Sequence, residues 1–517
     1  MRVVAAILSR TSVLGKLGPE TLLRVGNPFQ RRHRDFELTI ATRADSNGGN
    51  HAQPLRYSQI TFCHANRFPP GLRLTARASC LFLSYHLSMF AAPVNSCVLS
   101  FEDARRVVEE QAARIRSRNL SPGDTELVEL LIAAGRVLSE PVTADRDLPP
   151  FARSTRDGYA VRAADLSQLP ARLDVIGEIK AGEKLDRIPA GINAGQTASI
   201  MTGAPVPAGA DAVVMVEYSS PPHSQAGQQI EITRSVVAGE NIVACGAEAP
   251  AGVRLLDCGI RLNAAAVALA ASVGKSRLQV YKRPRVAVLT TGDEIVDVDA
   301  TPGPTQIRNS NSYSLAAQIR QAGGEALLLP VAPDELQALR RLIEEGLKAD
   351  LLLITGGVSM GRYDLVEQAL AELHAEFFFT GARIQPGRPV VFGKCGAGFI
   401  AREKSDTCFF GLPGNPVSTM VTFELFARPV LQALAGESAR NLIFLHARLK
   451  KEIRVKTGLK RFLPAILSGE FEHCEVELVR WQGSGDIAAS ARANCYLVVP
   501  ADREQIPAGE WVAVMQW

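Results

Sequence analysis

The chain has 517 residues, 46% hydrophobic, which is too long for one core and sets an expectation of three or four domains. Its net charge of +4 is unevenly placed: residues 1–98 hold 12 Lys/Arg against 4 Asp/Glu, so the remainder carries −4. That mildly acidic body excludes a nucleic-acid phosphate backbone as its main ligand, and no apolar run reaches the length needed to span a bilayer.

Residues 1–97 differ from everything after them. The basic, poorly periodic start and the short apolar run at 80–94 (CLFLSYHLSMFAAPV) are read as a disordered extension over 1–88, translated from an upstream in-frame start, with a folded protein beginning near Met89. The alternative is a targeting segment. Nine cysteines without a CxxC pair, and eight histidines away from the acidic turns described below, exclude a thiol-rich zinc site. The cysteines are expected to be mostly reduced core residues of a cytoplasmic protein.

Ser100 followed by Asp103, with apolar residues at 101, 104, 107, 108, 112 and 115, predicts a capped amphipathic helix. A second helix is predicted over about 125–138, and LNAAAVALAASV at 262–273 predicts another. The Gly/Pro-punctuated short runs between them read as an inserted β-rich domain. The expected layout is therefore a discontinuous helical and extended domain (98–141 and 250–282) interrupted by an insertion (142–249).

From 283 the pattern becomes βα: strands at 285–289, 326–330 and 351–354, helices at 311–322, 334–347 and 364–373, and strand-like runs at 376–380, 389–392 and 407–410. This predicts a doubly wound α/β domain over 283–436. One long helix is expected from LPGNP to about 435, and a small β domain over 437–517.

Three turn-like motifs lie beside these strands: TTGDEIV (290–296), TGGVSMGRYD (355–364) and LPGNP (412–416). In an open α/β sheet, ligands bind beyond the carboxyl ends of the strands, so Asp293, Glu294, Ser359 and Asp364 are expected to converge there. Adjacent acids after a buried strand suit a hard cation such as Mg²⁺; the plain alternative is a solvated turn with Asp293 as a helix cap. Gly356, Gly357 and Gly361 would let backbone amides approach an anion. Arg383, Arg388 and Lys394, in RIQPGRPVVFGK, offer cations for an oxyanion or else form a basic hairpin. Pro413 and Pro416 shape a rigid turn, in which Asn415 can orient a ligand.

Seven ordered stretches carry a family resemblance: PPF-x₅-DGYAV, MTGAPVPAGADAVV, TTGDEIV, IRNSNSY, GGVSMGRYD, IQPGRPVVFG and LPGNPVSTMVTFELF. They closely resemble the MoeA family of molybdopterin molybdenumtransferases, related to the E domain of gephyrin. The match covers about 98–517. It implies a molybdopterin-binding α/β domain, an inserted β-rich domain, a helical and extended segment, and a C-terminal β barrel. It further implies insertion of molybdate into adenylylated molybdopterin with release of AMP, with Mg²⁺ as cofactor.

On the matching positions the resemblance gives functional roles to Asp157, Thr202, Glu294, Asp334 and Asp364, of which Glu294, Asp334 and Asp364 are the implied metal ligands. It places Gly356, Gly357, Ser359 and Asn415 in pterin- and phosphate-binding loops, and Thr202, Arg388 and Pro413 are expected to join them in binding substrate. Family members are homodimers in which Asp157 and Thr202 approach the α/β domain of the other subunit. A molybdopterin adenylyltransferase and recipient molybdoenzymes are the implied partners. Two alternatives stand beside this reading: adenylylation of molybdopterin, and cofactor binding or scaffolding without catalysis. The chain departs from the family pattern at Gln385 in IQPGRP and at Val243 and Ala244 before Gly246 and Glu248, where some relatives carry cations.

Overall fold

The computed structural model describes residues 21–25, 36–42, 56–62, 97–117, 124–184, 188–357, 365–396 and 406–516. Ser359, Gly361, Asp364 and the apolar run at 80–94 lie outside them. The chain divides into two compact units, 1–93 and 94–517. In the first, Thr21–Val25, Phe36–Thr42 and Arg56–Phe62 pair antiparallel in that order, within the stretch expected to be disordered.

The second unit opens with the helix Phe101–Arg116, whose start is set as the sequence predicts: the Ser100 hydroxyl accepts from the Asp103 amide at 3.0 Å. Its buried stripe, Ala104, Val108, Ala112 and Ile115, joins the core on one face of the α/β sheet. The predicted helix at 125–138 is instead a strand, Thr125–Glu129, followed by the short 3₁₀ turn Leu130–Ile132. The strand pairs antiparallel with Arg277–Tyr281, burying Val128. Leu127 and Leu131, which a helix would have turned inward, are 58% and 96% exposed. A distant pairing partner outweighs local helical spacing here.

This module, with the helix Ala264–Ser272, has its own core of Val128, Leu138, Val142, Leu256, Leu262, Ala266, Ala270 and Val280. Val142–Thr143 pairs with Arg254–Leu256 at the base of the insertion. The inserted domain is a six-stranded sheet ordered Ala212–Met215, Gly158–Val161, Gln196–Ile200, Ala171–Ile179, Gln229–Ile232, Ser219–Ser220.

The α/β sheet runs Glu325–Leu328, Arg285–Thr290, Leu351–Thr355, Thr407–Leu412, Val391–Cys395, Glu376–Phe379. The first four strands are parallel, while Val391–Cys395 is antiparallel to both its neighbours. Both faces are covered, which is why the strands read as unbroken apolar runs. Leu351 and Leu353 enter one core, and Leu352 and Ile354 enter the other.

The expected single helix after LPGNP is three segments: Pro416–Thr422, a π-helical Phe423–Ala427, and Arg428–Leu434. Pro429 has no N–H to offer Leu425. The freed Leu425 carbonyl accepts from the Arg105 guanidinium instead. At the C-terminus, Leu445–Leu449, Lys460–Ser468, Glu475–Leu478, Cys495–Val499 and Trp511–Gln516 pair in a closed cycle, making a five-stranded barrel. One ion pair holds several of these parts together. Arg261, from the discontinuous module, meets Glu437 at 2.7 Å and donates to Gly135 O and Ala322 O, and the Glu437 carbonyl accepts from Arg116.

The described cysteines are all free thiols. Cys395, Cys408 and Cys495 are buried, whereas Cys97, Cys245 and Cys258 are exposed, so the expectation of mostly core thiols holds for fewer than half of the seven described. Among the described residues no helix is long and apolar enough to cross a membrane.

Candidate active site

Strand order reverses between Arg285–Thr290 and Leu351–Thr355, the arrangement that opens a crevice at the carboxyl ends of parallel strands. The loop after the first strand is pinned on both sides. Thr291 N donates to Thr355 O at 3.0 Å, and Ala332 N donates to Thr290 O at 2.8 Å. The second of these places the segment before the helix Leu336–Gly346 beside TTGDEIV.

That contact explains the acidic cluster. The Asp334 amide donates to Asp293 Oδ1 at 3.1 Å, so Asp293 ties down the segment before the helix Leu336–Gly346 rather than capping a helix, as the plain reading had it. Burial, then the Asp293 and Glu294 charges, hold the Asp334 carboxyl above its ordinary range. Glu294 folds its carboxylate back over Gly292: a Cβ on that glycine, at φ +135°, would lie 2.6 Å from Glu294 Oε2. Asp293, Glu294 and Asp334 are all solvent-exposed.

A raised folded-state pKa means that ionised Asp334 costs stability once pH exceeds that pKa, and costs none when the group is protonated in both states. Asp334→Asn is therefore expected to raise the thermal midpoint at pH 7. The gain should vanish as the pH falls below the unfolded carboxyl value, which a midpoint series across pH checks.

The glycine turn meets the same loop. Gly356 and Gly357 have φ +93° and +63°, and added Cβ atoms would lie 2.3 Å from Thr291 O and 2.7 Å from Thr291 Oγ1. Gly414 of LPGNP closes the third side, since its Cβ would lie 3.4 Å from Gly356 Cα. The described parts of the three motifs thus come together.

A buried polar network, unassigned from the sequence, binds them. Asn311 Nδ2 donates to Thr355 Oγ1 at 2.9 Å and to Gly414 O at 2.7 Å; Thr419 Oγ1 donates to Pro413 O at 2.5 Å. Thr290, Asn309 and Ser312 bond to one another beside it. The only sequence signal was the cluster of amides and hydroxyls in IRNSNSY, before an otherwise ordinary helix. Pro413 is buried, with its carbonyl accepting from Thr419, while Asn415 is exposed and its side chain does not cap the helix it precedes.

The basic stretch is split by strand direction. Val391 pairs with Gly411, which puts the preceding loop, with exposed Arg388, at the carboxyl ends of the parallel strands. Lys394 pairs with Cys408 toward the opposite end, where it meets Asp406 at 2.9 Å and Glu376 at 3.2 Å. The expected grouping of Lys394 with Arg388 is therefore corrected. Gln385 accepts from Arg461 Nε at 2.8 Å, which gives that departure from the family pattern a structural use.

Asp157 and Thr202 are brought together in the inserted domain. Gly158 pairs with Ile200, so the residues just outside these strands face one another, and the Thr202 amide donates to Asp157 Oδ1 at 2.7 Å. Among the described residues no hydrogen bond or ion pair joins this pair to the crevice. At the other departure, Val243 lies opposite Arg153, which meets Glu248 at 3.2 Å, so a cation stands across the strand from the position that lacks one.

Three family models match consecutive parts of the chain: the MoeA N-terminal region (domain I and II) over 99–274, a probable molybdopterin binding domain over 287–433, and the MoeA C-terminal region (domain IV) over 446–517. The chain belongs to the MoeA family of molybdopterin molybdenumtransferases. The Nostoc molybdopterin molybdenumtransferase is 34% identical over 410 residues, 77% of this chain and 89% of that protein. The Bacillus subtilis enzyme of the same name is 32% identical over 76% of this chain and 90% of its own length. A crystal structure of the molybdopterin biosynthesis MoeA protein from Pyrococcus horikosii is 33% identical, covering 81% of this chain and 99% of that one, with a TM-score of 0.58. This MoeA-family chain has the multidomain α/β architecture, with inserted β-rich domain and C-terminal barrel, that its motifs imply.

Proposed function

We propose that the crevice of this MoeA-family transferase inserts molybdate into adenylylated molybdopterin, with release of AMP. The observation that carries this reading is the meeting of the acidic loop, the glycine turn and LPGNP at the switch point of the domain matched by the molybdopterin-binding model. Both substrates are anionic. Backbone amides of the glycine turn suit a phosphate, Arg388 adds a cation at the same sheet edge, and Asn415 presents an exposed amide to orient the bound substrate.

Among the described residues no three Asp, Glu, His or Cys side chains form a ready metal cage. Mg²⁺ does not require one, since it commonly takes one or two carboxylates and completes its shell with water and phosphate oxygens. Burial first, and then the Asp293 and Glu294 charges, raise the Asp334 carboxyl, and a cation relieves the second of these causes. Glu294 and Asp334, with Asp364, would hold the ion. When bound it neutralises charge on the adenylate phosphate. Asp293 keeps Asp334 in place through its amide.

The test is direct: purified protein, adenylylated molybdopterin, molybdate and Mg²⁺, with AMP and active cofactor as readouts. AMP release independent of molybdate, or none at all, overturns the reading.

The same reading includes a homodimer with Asp157 and Thr202 completing the partner's site, since these residues pair with one another on a domain separate from the crevice. Mixed Asp157→Ala and Glu294→Ala subunits are then expected to recover activity that neither variant has alone. Inactivity despite demonstrated subunit exchange would show sites built within one chain. A cytoplasmic setting fits the seven described free thiols.

A further inference from the structure

Among the described residues, two buried polar atoms at the crevice have no hydrogen-bond partner: Thr291 Oγ1 and Asn311 Oδ1. Their residues are 3% and 8% exposed. Buried polar groups in folded proteins are nearly always paired, because leaving one unpaired forfeits its bonds to water. The positions of these two are not random with respect to the fold. Thr291 lies on the loop after the first strand, and Asn311 opens the helix Asn311–Gln321 that packs beside it.

Thr291 is the sharper of the two. Its hydroxyl lies directly beneath the glycine turn, 2.7 Å from the place a Gly357 Cβ would fill and 3.1 Å from that of Gly356. Its amide is bonded to Thr355 O, while its side-chain oxygen has no partner among the described residues. Asn311 is held in one orientation, because its Nδ2 donates to Thr355 Oγ1 and Gly414 O, and a flipped amide would set oxygen against the Gly414 carbonyl. Its Oδ1 is therefore an acceptor without a donor.

We propose that Thr291 is a substrate-contacting residue of this crevice, its hydroxyl donating to an anionic oxygen of the phosphate-bearing substrate held by the glycine turn. This deepens the proposed function and rests on it for the identity of the substrate. The two spare atoms are complementary in kind. A hydroxyl serves an oxyanion, whereas the Asn311 carbonyl needs an N–H or O–H donor, so a ligand with both a phosphate and a donor-bearing ring uses both. A bare oxyanion such as molybdate uses only one. Gly356 and Gly357, at positive φ, leave the space beside the hydroxyl free of any side chain, which is the room a phosphate oxygen would take.

The substitution Thr291→Val keeps the shape and removes only the spare oxygen. Because that oxygen has no partner among the described residues, its loss should leave the thermal midpoint unchanged or raise it. The KM for adenylylated molybdopterin should rise about tenfold, as for a lost hydrogen bond to a charged group. The KM for molybdate should change little, and Thr291→Ser, which restores the hydroxyl, should recover the substrate KM.

An unchanged KM in Thr291→Val overturns the proposal. So does a raised KM that comes with a lowered midpoint and is not recovered by serine, since that pattern belongs to a packing role. A rise confined to the molybdate KM assigns the hydroxyl to the other oxyanion and likewise overturns it. Binding of AMP by calorimetry separates this inference from the reading beneath it. If the unaltered protein shows no transferase activity yet binds AMP, and Thr291→Val loses that binding, the contact stands and the transferase reading falls.

Discussion

Glu294→Gln is expected to lower AMP release by about 10²-fold or more while binding of adenylylated molybdopterin changes little. Burial first, and then the Asp293 and Glu294 charges, push the Asp334 carboxyl up, so the Glu294 side chain contributes to a local field. It is exposed, and its carboxylate lies over Gly292. Replacing the carboxylate by an amide keeps size and shape and removes one negative charge from the place where Mg²⁺ would sit. A loss of about 3 kcal/mol of transition-state stabilisation corresponds to the stated factor. Raising Mg²⁺ should recover part of the rate. Near-normal AMP release at saturating substrate and limiting Mg²⁺ would return Glu294 to the role of a turn residue.

The second large effect concerns stability. Glu437→Ala is expected to cost about 3 kcal/mol, the scale seen when one partner of a buried ion pair is removed. Glu437 is 2% exposed and meets Arg261, itself only 20% exposed, at 2.7 Å. Without the carboxylate, the Arg261 charge keeps only the carbonyls of Gly135 and Ala322 as partners. Arg440→Ala supplies the control: it contacts the same carboxylate at 3.8 Å but is 59% exposed, so its loss should cost about 0.5 kcal/mol or less. Urea unfolding of the two variants separates these outcomes, and equal effects would remove the buried pair from its proposed role.

The parts of this fold legible in the sequence were those whose pattern is local. Residues 351–354 announce a strand buried on both faces, because alternate side chains enter two separate apolar cores. Ser100 and Asp103 announce a helix start because the cap is made within three residues. The strand Thr125–Glu129 was missed because its identity comes from Arg277–Tyr281, about 150 residues away. At the site, the adjacency of Asp293 and Glu294 was plain, but the use of Asp293 as a clamp on the Asp334 amide required the pairing of Thr291 with Ala332. Arg388 and Lys394 are close in sequence and were grouped, yet a single antiparallel strand sends them toward opposite ends of the sheet. The spare oxygens of Thr291 and Asn311 had no sequence signature, since what matters about them is which neighbours fail to reach them.

The short pairing of Val142–Thr143 with Arg254–Leu256 sets the entry and exit of the inserted domain side by side. To the host module, everything between them is a closed loop, and the entropy of closing a loop grows only with the logarithm of its length, about 0.6 kcal/mol per doubling. An insertion of roughly a hundred residues is therefore tethered at an entropic cost only about 1.2 kcal/mol above that of one a quarter as long. The host strands are free to keep their register whatever hangs from this junction, so the domain bearing Asp157 and Thr202 is carried without strain on the module that holds it.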